Sequence, residues 1–239
     1  MYHEKDTFYT LEHTISFGDL NAAGNSFVPI ANTWNTWHLI PSSRPVVAQP
    51  KIATNIIEIP GCDEPLDLTD YLAGRPVYGL RSDAFSFNVD NDHENWETIR
   101  NKIVSAIHGK RMKMRLDDDP DYYYEGRFTV GNYISGAAFS TITINYQLDP
   151  YKIKIVPSSS TISVNNQTKT LTMVANEYPF APTAEWISGT VDVSFGDVYK
   201  TLSSSGSVKL GKATPNSSNN VLFAIGTGSV RIKWRGGTI

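Results

Sequence analysis

Four carboxylates in five residues, Asp117-Asp118-Asp119-Pro120-Asp121, are the densest set of potential ligands in the chain. Carboxylate oxygens suit a hard cation such as Ca²⁺, but the spacing matches no calcium loop, and an acidic turn on a solvated surface is the plainer reading. Asp90, Asp92 and Glu94 open like a calcium loop and then fail, because Asn95 stands where the glycine belongs and Asn101 where the bidentate glutamate belongs. The five histidines, His3, His13, His38, His93 and His108, are scattered without a His-x-x-x-His pair, so no zinc site is expected. Cys62 is the only cysteine, which excludes an internal disulfide and a thiolate cluster. Behind Pro60-Gly61 it reads as a small turn residue rather than a nucleophile. No Gly-x-Ser-x-Gly elbow, phosphate loop or dinucleotide fingerprint is present. Nothing points to paired-carboxylate glycosidase chemistry. The expectation is a protein that is not an enzyme, with no catalytic residues, cofactor or metal.

The remaining candidates are contact residues. Trp34 and Trp37 could stack on sugar, but anchors at a domain edge or a subunit or partner contact fit tryptophan better. In the run Tyr122-Tyr123-Tyr124, Tyr122 and Tyr124 share one face of a strand and Tyr123 takes the other, so one face can be core and the other an interface. Asp117, Asp118, Asp119, Asp121, Tyr123 and Arg127 form a candidate subunit interface built on charge-assisted pairs.

One amphipathic helix positions this region. Trp96, Ile99, Ile103 and Ile107 recur at spacings of three and four, which predicts a helix over about 92–108. Asn91 or Asp92 would cap it, Asp92, Glu94 and Glu97 suit its positive end, and Gly109 would stop it. His108 reads as a partner for its C-terminal dipole. Beyond it, Arg111–Leu116 alternates basic and apolar residues, predicting a strand with Met112, Met114 and Leu116 buried. Pro120 marks a turn. A strand follows through Phe128 and Val130, and another over 138–148 with Phe139, Ile142, Ile144 and Tyr146 as its larger apolar members. Before the helix, 78–89 alternates strongly through Phe85, Phe87 and Val89. Residues 10–17 suggest a strand closed by a turn at Phe17-Gly18-Asp19. Pro41, Pro45 and Pro50 suggest an extended arm or edge segment. Residues 52–59 alternate with Ile57 and Ile59 on one face, and 67–72 reads as a helical turn or loop.

After Tyr151 serine, threonine, asparagine and glycine become frequent and helical periodicity is absent. Nine short strands are expected, over 151–156, 161–164, 169–174, 184–187, 191–195, 198–202, 207–210, 221–225 and 229–234. Turns are expected at Asn165-Asn166, Ser205-Gly206 and Gly226-Thr227-Gly228, and a hinge or bend at Ser158-Ser159-Ser160. This pattern predicts a β-sandwich over 151–239, in which Trp186 and Trp234 read as core rather than as sugar-binding residues. It follows an α+β domain over 1–150 with one helix on a sheet, and the class is mainly β. No clear exposed aromatic-plus-polar sugar platform stands out in 151–239.

Composition is consistent with two domains. The 239 residues are 40% hydrophobic and carry a net charge of −3. Residues 1–150 hold 12 Lys and Arg against 20 Asp and Glu, and residues 151–239 hold 9 against 4. The acidic half is unsuited to holding nucleic acid, and the basic half has no basic cluster interleaved with aromatics. No run is long and apolar enough for a membrane span. The segment Met1–Asp6 has no basic-then-apolar signal pattern, which predicts synthesis in the cytoplasm.

Ordered motifs give a resemblance. They are Ile40-Pro-Ser-Ser-Arg-Pro45, Pro60-Gly-Cys-Asp63, Leu66-Asp-Leu-Thr-Asp-Tyr-Leu72, Tyr78-Gly-Leu-Arg81, His108-Gly-Lys-Arg111, Leu116-Asp-Asp-Asp-Pro-Asp-Tyr-Tyr-Tyr-Glu-Gly-Arg127 and Asp149-Pro-Tyr-Lys152. Together they resemble the distal tail protein family of long, non-contractile-tailed bacteriophages, most clearly over 37–152 and more weakly at Val230–Ile239. The resemblance implies a galectin-like C-terminal sandwich and a homo-hexameric ring at the distal end of the virion tail. The ring would bind the tail tube protein on one side and tail-tip, tail-associated, receptor-binding or baseplate proteins on the other. DNA would only pass through its channel, and no membrane is involved. Such a ring is an adsorption hub, and an inward-turned acidic first half would give it a bore that repels DNA phosphate. The alternative expectation is a carbohydrate-binding module in the C-terminal sandwich that holds the virion to cell-wall polysaccharide.

Overall fold

The computed structural model describes residues 13–71, 73–89, 96–135, 140–173, 178–213 and 220–239. The expectations for Met1–Asp6, His3, Asn91, Asp92, His93, Glu94 and Phe139 fall outside these residues. The chain divides into two compact units, the first comprising residues up to Asp19 with Val28–Pro150 and the second Leu20–Phe27 with Tyr151–Ile239. The architecture is mainly β, with a single helix among the described residues.

The first unit contains β1 (Ile15–Leu20) and β2 (Phe27–Asn32), apart from their end residues Leu20 and Phe27, and β3 (Leu39–Pro41), β4 (Ile56–Ile57), β5 (Leu66–Asp67), β6 (Arg81–Val89), α1 (Trp96–Ile107), β7 (Arg111–Leu116), β8 (Tyr122–Ser135) and β9 (Ser140–Leu148). Its sheet runs β2-β1-β7-β8-β9-β6-β3, and among the described residues β4 pairs only with β5. Period-two alternation sends Phe85, Phe87 and Val89 of β6, Met114 and Leu116 of β7, and Ile142, Ile144, Tyr146 and Leu148 of β9 into one core. The helix covers that face with Ile99, Ile103 and Ile107, all fully buried. Burial of each contributes about 1.5–3 kcal/mol. Phe17 locks the layers together, edge-on to Phe128 at 5.0 Å and 5.7 Å from Trp37 between ring centroids.

The helix stops where expected. Gly109 takes φ +73°, and the Lys110 ammonium donates to the Ser105 carbonyl at 2.6 Å. His108 is used differently from the expectation: its Nδ1 accepts the Val130 amide at 3.0 Å, tying the helix end to β8. The expected turn at Phe17-Gly18-Asp19 is absent, because β1 continues to Leu20 and the chain reverses at Asn21–Ser26. Gly18 marks a close approach instead, since a Cβ there would collide with the Val28 carbonyl. The regular strand expected over 52–59 shrinks to Ile56–Ile57, and 78–89 becomes regular only from Arg81.

The second unit contains β10 (Lys152–Lys154), β11 (Ser158–Asn165), β12 (Lys169–Thr172), β13 (Thr183–Phe195), β14 (Val198–Leu202), β15 (Ser207–Lys209), β16 (Val221–Trp234) and β17 (Gly237–Thr238). Four of the expected strands are halves of two long ones, β13 and β16, which pair along most of their length. Gly226-Thr227-Gly228 is therefore not a turn but the middle of β16. Residues 191–195 of β13 pair with β14 and residues 221–224 of β16 with β12, whereas residues 183–185 of β13 pair with β15 and residues 227–234 of β16 with β11. The two long strands thus carry two four-strand layers around a single core. Asn165-Asn166 does not join paired strands, since β11 and β12 both pair with β16, and Ser158–Ser160 opens β11 rather than a hinge.

A bulge makes this possible. Trp186 pairs with Val230 and Ser188 with Ser229, so Ile187 is the extra residue. Inward positions on β13 consequently change from even (Ala184, Trp186) to odd (Val191, Val193, Phe195), whereas on β16 they stay even (Leu222, Ala224, Val230, Ile232). The Trp186 indole N–H donates to the Gly189 carbonyl at 2.8 Å across the bulge.

Candidate interaction surfaces

The acidic turn is bound into its own unit. The Asp118 carboxylate accepts His13 Nδ1 at 2.7 Å and Arg44 Nε at 2.9 Å. Partial burial works against its charge, but the hydrogen bonds and charges of His13 and Arg44 outweigh it and hold the carboxyl below its ordinary range. Asp117 accepts the Thr14 hydroxyl and lies 3.8 Å from Arg115 Nη2. Backbone bonds from Asp119 to Leu116 and from Tyr122 to Asp119 close the turn. Among the described residues, no group of three or more His, Cys, Asp or Glu side chains could hold a metal ion.

Arg127 is not drawn to that turn. Its guanidinium donates to the Gly109 carbonyl at the end of α1, and the side chain is exposed. It lines a depression of about 540 Å³ on the open face of the sheet, together with Ser82, Asp83, Thr129, Asn145 and Gln147. Tyr123, expected as an interface residue, is buried, with Lys113 Nζ 5.8 Å from its ring centroid. Its neighbour Tyr124 is buried too.

The two tryptophans part company. Trp37 is 2% exposed and belongs to the core, so its ring is not available to a partner. Trp34 is half-buried and stands edge-on to His38 at 5.5 Å. A polar knot shapes this corner: the buried Asn32 donates through Nδ2 to the Thr14 and Ser16 hydroxyls, both at 3.0 Å. Through Oδ1 it accepts the amides of Trp34 and Asn35 at 2.9 and 3.0 Å.

One uncovered apolar surface is not evident from the sequence. Every residue from 51 to 67 is exposed. Ile52, Ile56, Ile57, Ile59, Leu66 and Tyr71, which is 80% exposed, form an apolar arm with no core of its own. The prolines suggest an extended segment over 41–53, but the isoleucines read as an alternating strand, so their exposure is legible only in the structure. Arg81 holds the arm's root: its Nε donates to the Pro150 carbonyl and its Nη1 to the Ala48 carbonyl, both at 2.8 Å. Burial lowers the pKa of this guanidinium, while the neighbouring Tyr124 and Tyr146 oppose the shift. No described helix is long and apolar enough to cross a membrane.

A helix-backed antiparallel sheet with an apolar arm, followed by a two-layer β unit on shared long strands, defines a mainly β fold. The same fold is found in the crystal structure of SPP1 Dit (gp 19.1), a protein described as a paradigm of the hub adsorption apparatus in phages infecting Gram-positive bacteria. The likeness has a TM-score of 0.60 at 13% sequence identity and covers 95% of this chain and 99% of that one. No protein-family model and no curated protein matches the chain.

Proposed function

We propose that the chain is a structural protein of a phage tail, a distal tail component that assembles with other copies into a ring joining the tail tube to the tail tip. The observation that carries this reading is the likeness of fold along nearly the whole of both chains. The ordered motifs between Trp37 and Lys152 point the same way.

The apolar arm supports assembly. Seventeen consecutive exposed residues, 51–67, include four isoleucines and a leucine, a surface that water disfavours and a neighbouring copy can cover. A ring needs a heterologous contact, one patch on each copy meeting a different patch on the next. An arm on one side of a unit suits that requirement. Exposed Asp121 and Arg127 remain available in this reading for charge-assisted contacts between copies, and half-buried Trp34 for a partner contact. Six copies would turn an acidic first unit toward the bore, where it repels DNA phosphate.

Light scattering after size exclusion, with negative-stain imaging of the peak, tests the reading. A closed ring of about six chains is expected. A chain that stays monomeric at every concentration, alone and mixed with tail tube protein, refutes it.

A further inference from the structure

One face of the second unit differs from the rest of its surface. In the layer of residues 191–195, 198–202 and 221–225, inward positions carry Val191, Val193, Phe195, Leu202 and Leu222, all buried. The outward positions form two rows across β14, β13 and β16. One row is Tyr199, Ser194 and Phe223, and the next is Thr201, Asp192 and Ile225. Tyr199 is 61% exposed and Phe223 48%. Their backbones are two strand spacings apart, about 10 Å, which suits alternate pyranose rings of one oligosaccharide chain rather than directly linked neighbours.

The polar row is organised. Thr201 donates to Asp192 Oδ1 at 2.6 Å. Tyr199 also bonds the Asp192 side chain, and these two bonds, Thr201 first, hold the carboxyl below its ordinary range. The Tyr199 ring stands beside this row with most of its surface in water. An ionised carboxylate offers about four acceptor sites, and these two bonds leave the others free for a ligand.

We infer that this outer face is a saccharide-binding platform, on which Tyr199 and Phe223 stack against the C–H faces of neutral pyranose rings while Asp192 and Ser194 hydrogen-bond their hydroxyls. The central carboxylate decides between a sugar and a protein partner. A protein interface buries its centre and is depleted there in Asp and Glu, because a desolvated carboxylate needs a paired cation. A saccharide brings neutral hydroxyl donors and leaves the carboxylate hydrated at its edge. The signal was invisible in the sequence because the residues lie on three strands. The inference does not rest on ring formation.

The test is calorimetric titration of the full-length chain with three probes: the hexasaccharides of β-linked N-acetylglucosamine and of α-linked glucose, and soluble wall polysaccharide of a Gram-positive bacterium. Saturable binding of at least one probe is expected. Y199A and F223A should each weaken it at least about tenfold, D192N should weaken it too, and K209A on the opposite layer should leave it unchanged. These side chains are solvent-facing, so unchanged thermal melts establish that the variants fold. No heat with any probe at millimolar concentration overturns the inference, as does Y199A and F223A binding like the unmodified chain. A face that captures a tail protein in a Tyr199-dependent way but no saccharide is a protein-docking surface, and that result overturns it as well.

Discussion

The guanidinium carbon of Arg81 lies 5.6 Å from the centre of the Tyr124 ring, at a residue only 2% exposed. Arg81 joins three parts of the first unit: the Ala48 carbonyl at the root of the arm, the Pro150 carbonyl at the end of the unit, and the tyrosine face on β8. A planar fork of donors with a stacking face can make all three contacts, and an ammonium cannot. R81A should strand two carbonyls and destabilise the chain by about 2–5 kcal/mol. R81K should recover only part of this. Urea denaturation of the three proteins measures both.

Asp118 gives a pH signature. A carboxyl whose folded pKa is depressed adds stability above its unfolded value, about 3.9. That contribution is lost as pH falls through the folded value. D118N should therefore melt at a lower temperature than the unmodified chain at pH 7, with the gap narrowing progressively below about pH 4. Thermal melts followed by circular dichroism between pH 7 and pH 2 check this. A gap that is constant across the range would mean that the His13 and Arg44 bonds to Asp118 do not stabilise the fold.

Gly189 and Gly228 face each other across the bent strands. Gly189 has φ +69°, and a Cβ there would run into the Thr227 carbonyl oxygen and the Gly228 Cα. Neither backbone can yield without opening the ladder. G189A should cost on the order of 3 kcal/mol or more. A substitution at Gly196, also at positive φ but with open space around it, should cost about 1 kcal/mol. Chemical denaturation of both variants separates steric from conformational strain.

The arm should behave in the opposite way. Ile56 and Ile57 are about half exposed and outside the core, so changing both to serine should move monomer stability by no more than about 0.5 kcal/mol. It should nonetheless reduce assembly if the arm covers a neighbouring copy. Light scattering and a thermal melt on the same sample read the two effects.

The stripe Ile99, Ile103 and Ile107 and the alternation Phe85, Phe87 and Val89 were legible in the sequence because each reports a single element against a single core. The long strands β13 and β16 were not. A glycine-rich middle in β16 and an extra Ile187 in β13 both mimic a chain break, and only pairing with another strand distinguishes a bent strand from two short ones. The acidic turn was visible as a charge cluster, but its partners His13, Thr14 and Arg44 are far away in sequence. Trp37 shows the converse limit, because a large aromatic reads alike whether it is an anchor or a filler. Tyr199, Phe223 and Asp192 share a face only through strand pairing, which local periodicity does not encode.

Arg235 donates to the Lys154 and Ile155 carbonyls and also to the Gly24 carbonyl at 2.7 Å. Gly24 belongs to the segment Leu20–Phe27, which groups with the second unit although more than a hundred residues separate it from Tyr151. The second unit is thus written in two places in its gene. Recombination that exchanged only the stretch encoding residues 151–239 would bring an arginine without the loop it evolved to hold. Exchange of this unit between relatives should leave paired changes around residues 20–27 and after residue 150, inherited together.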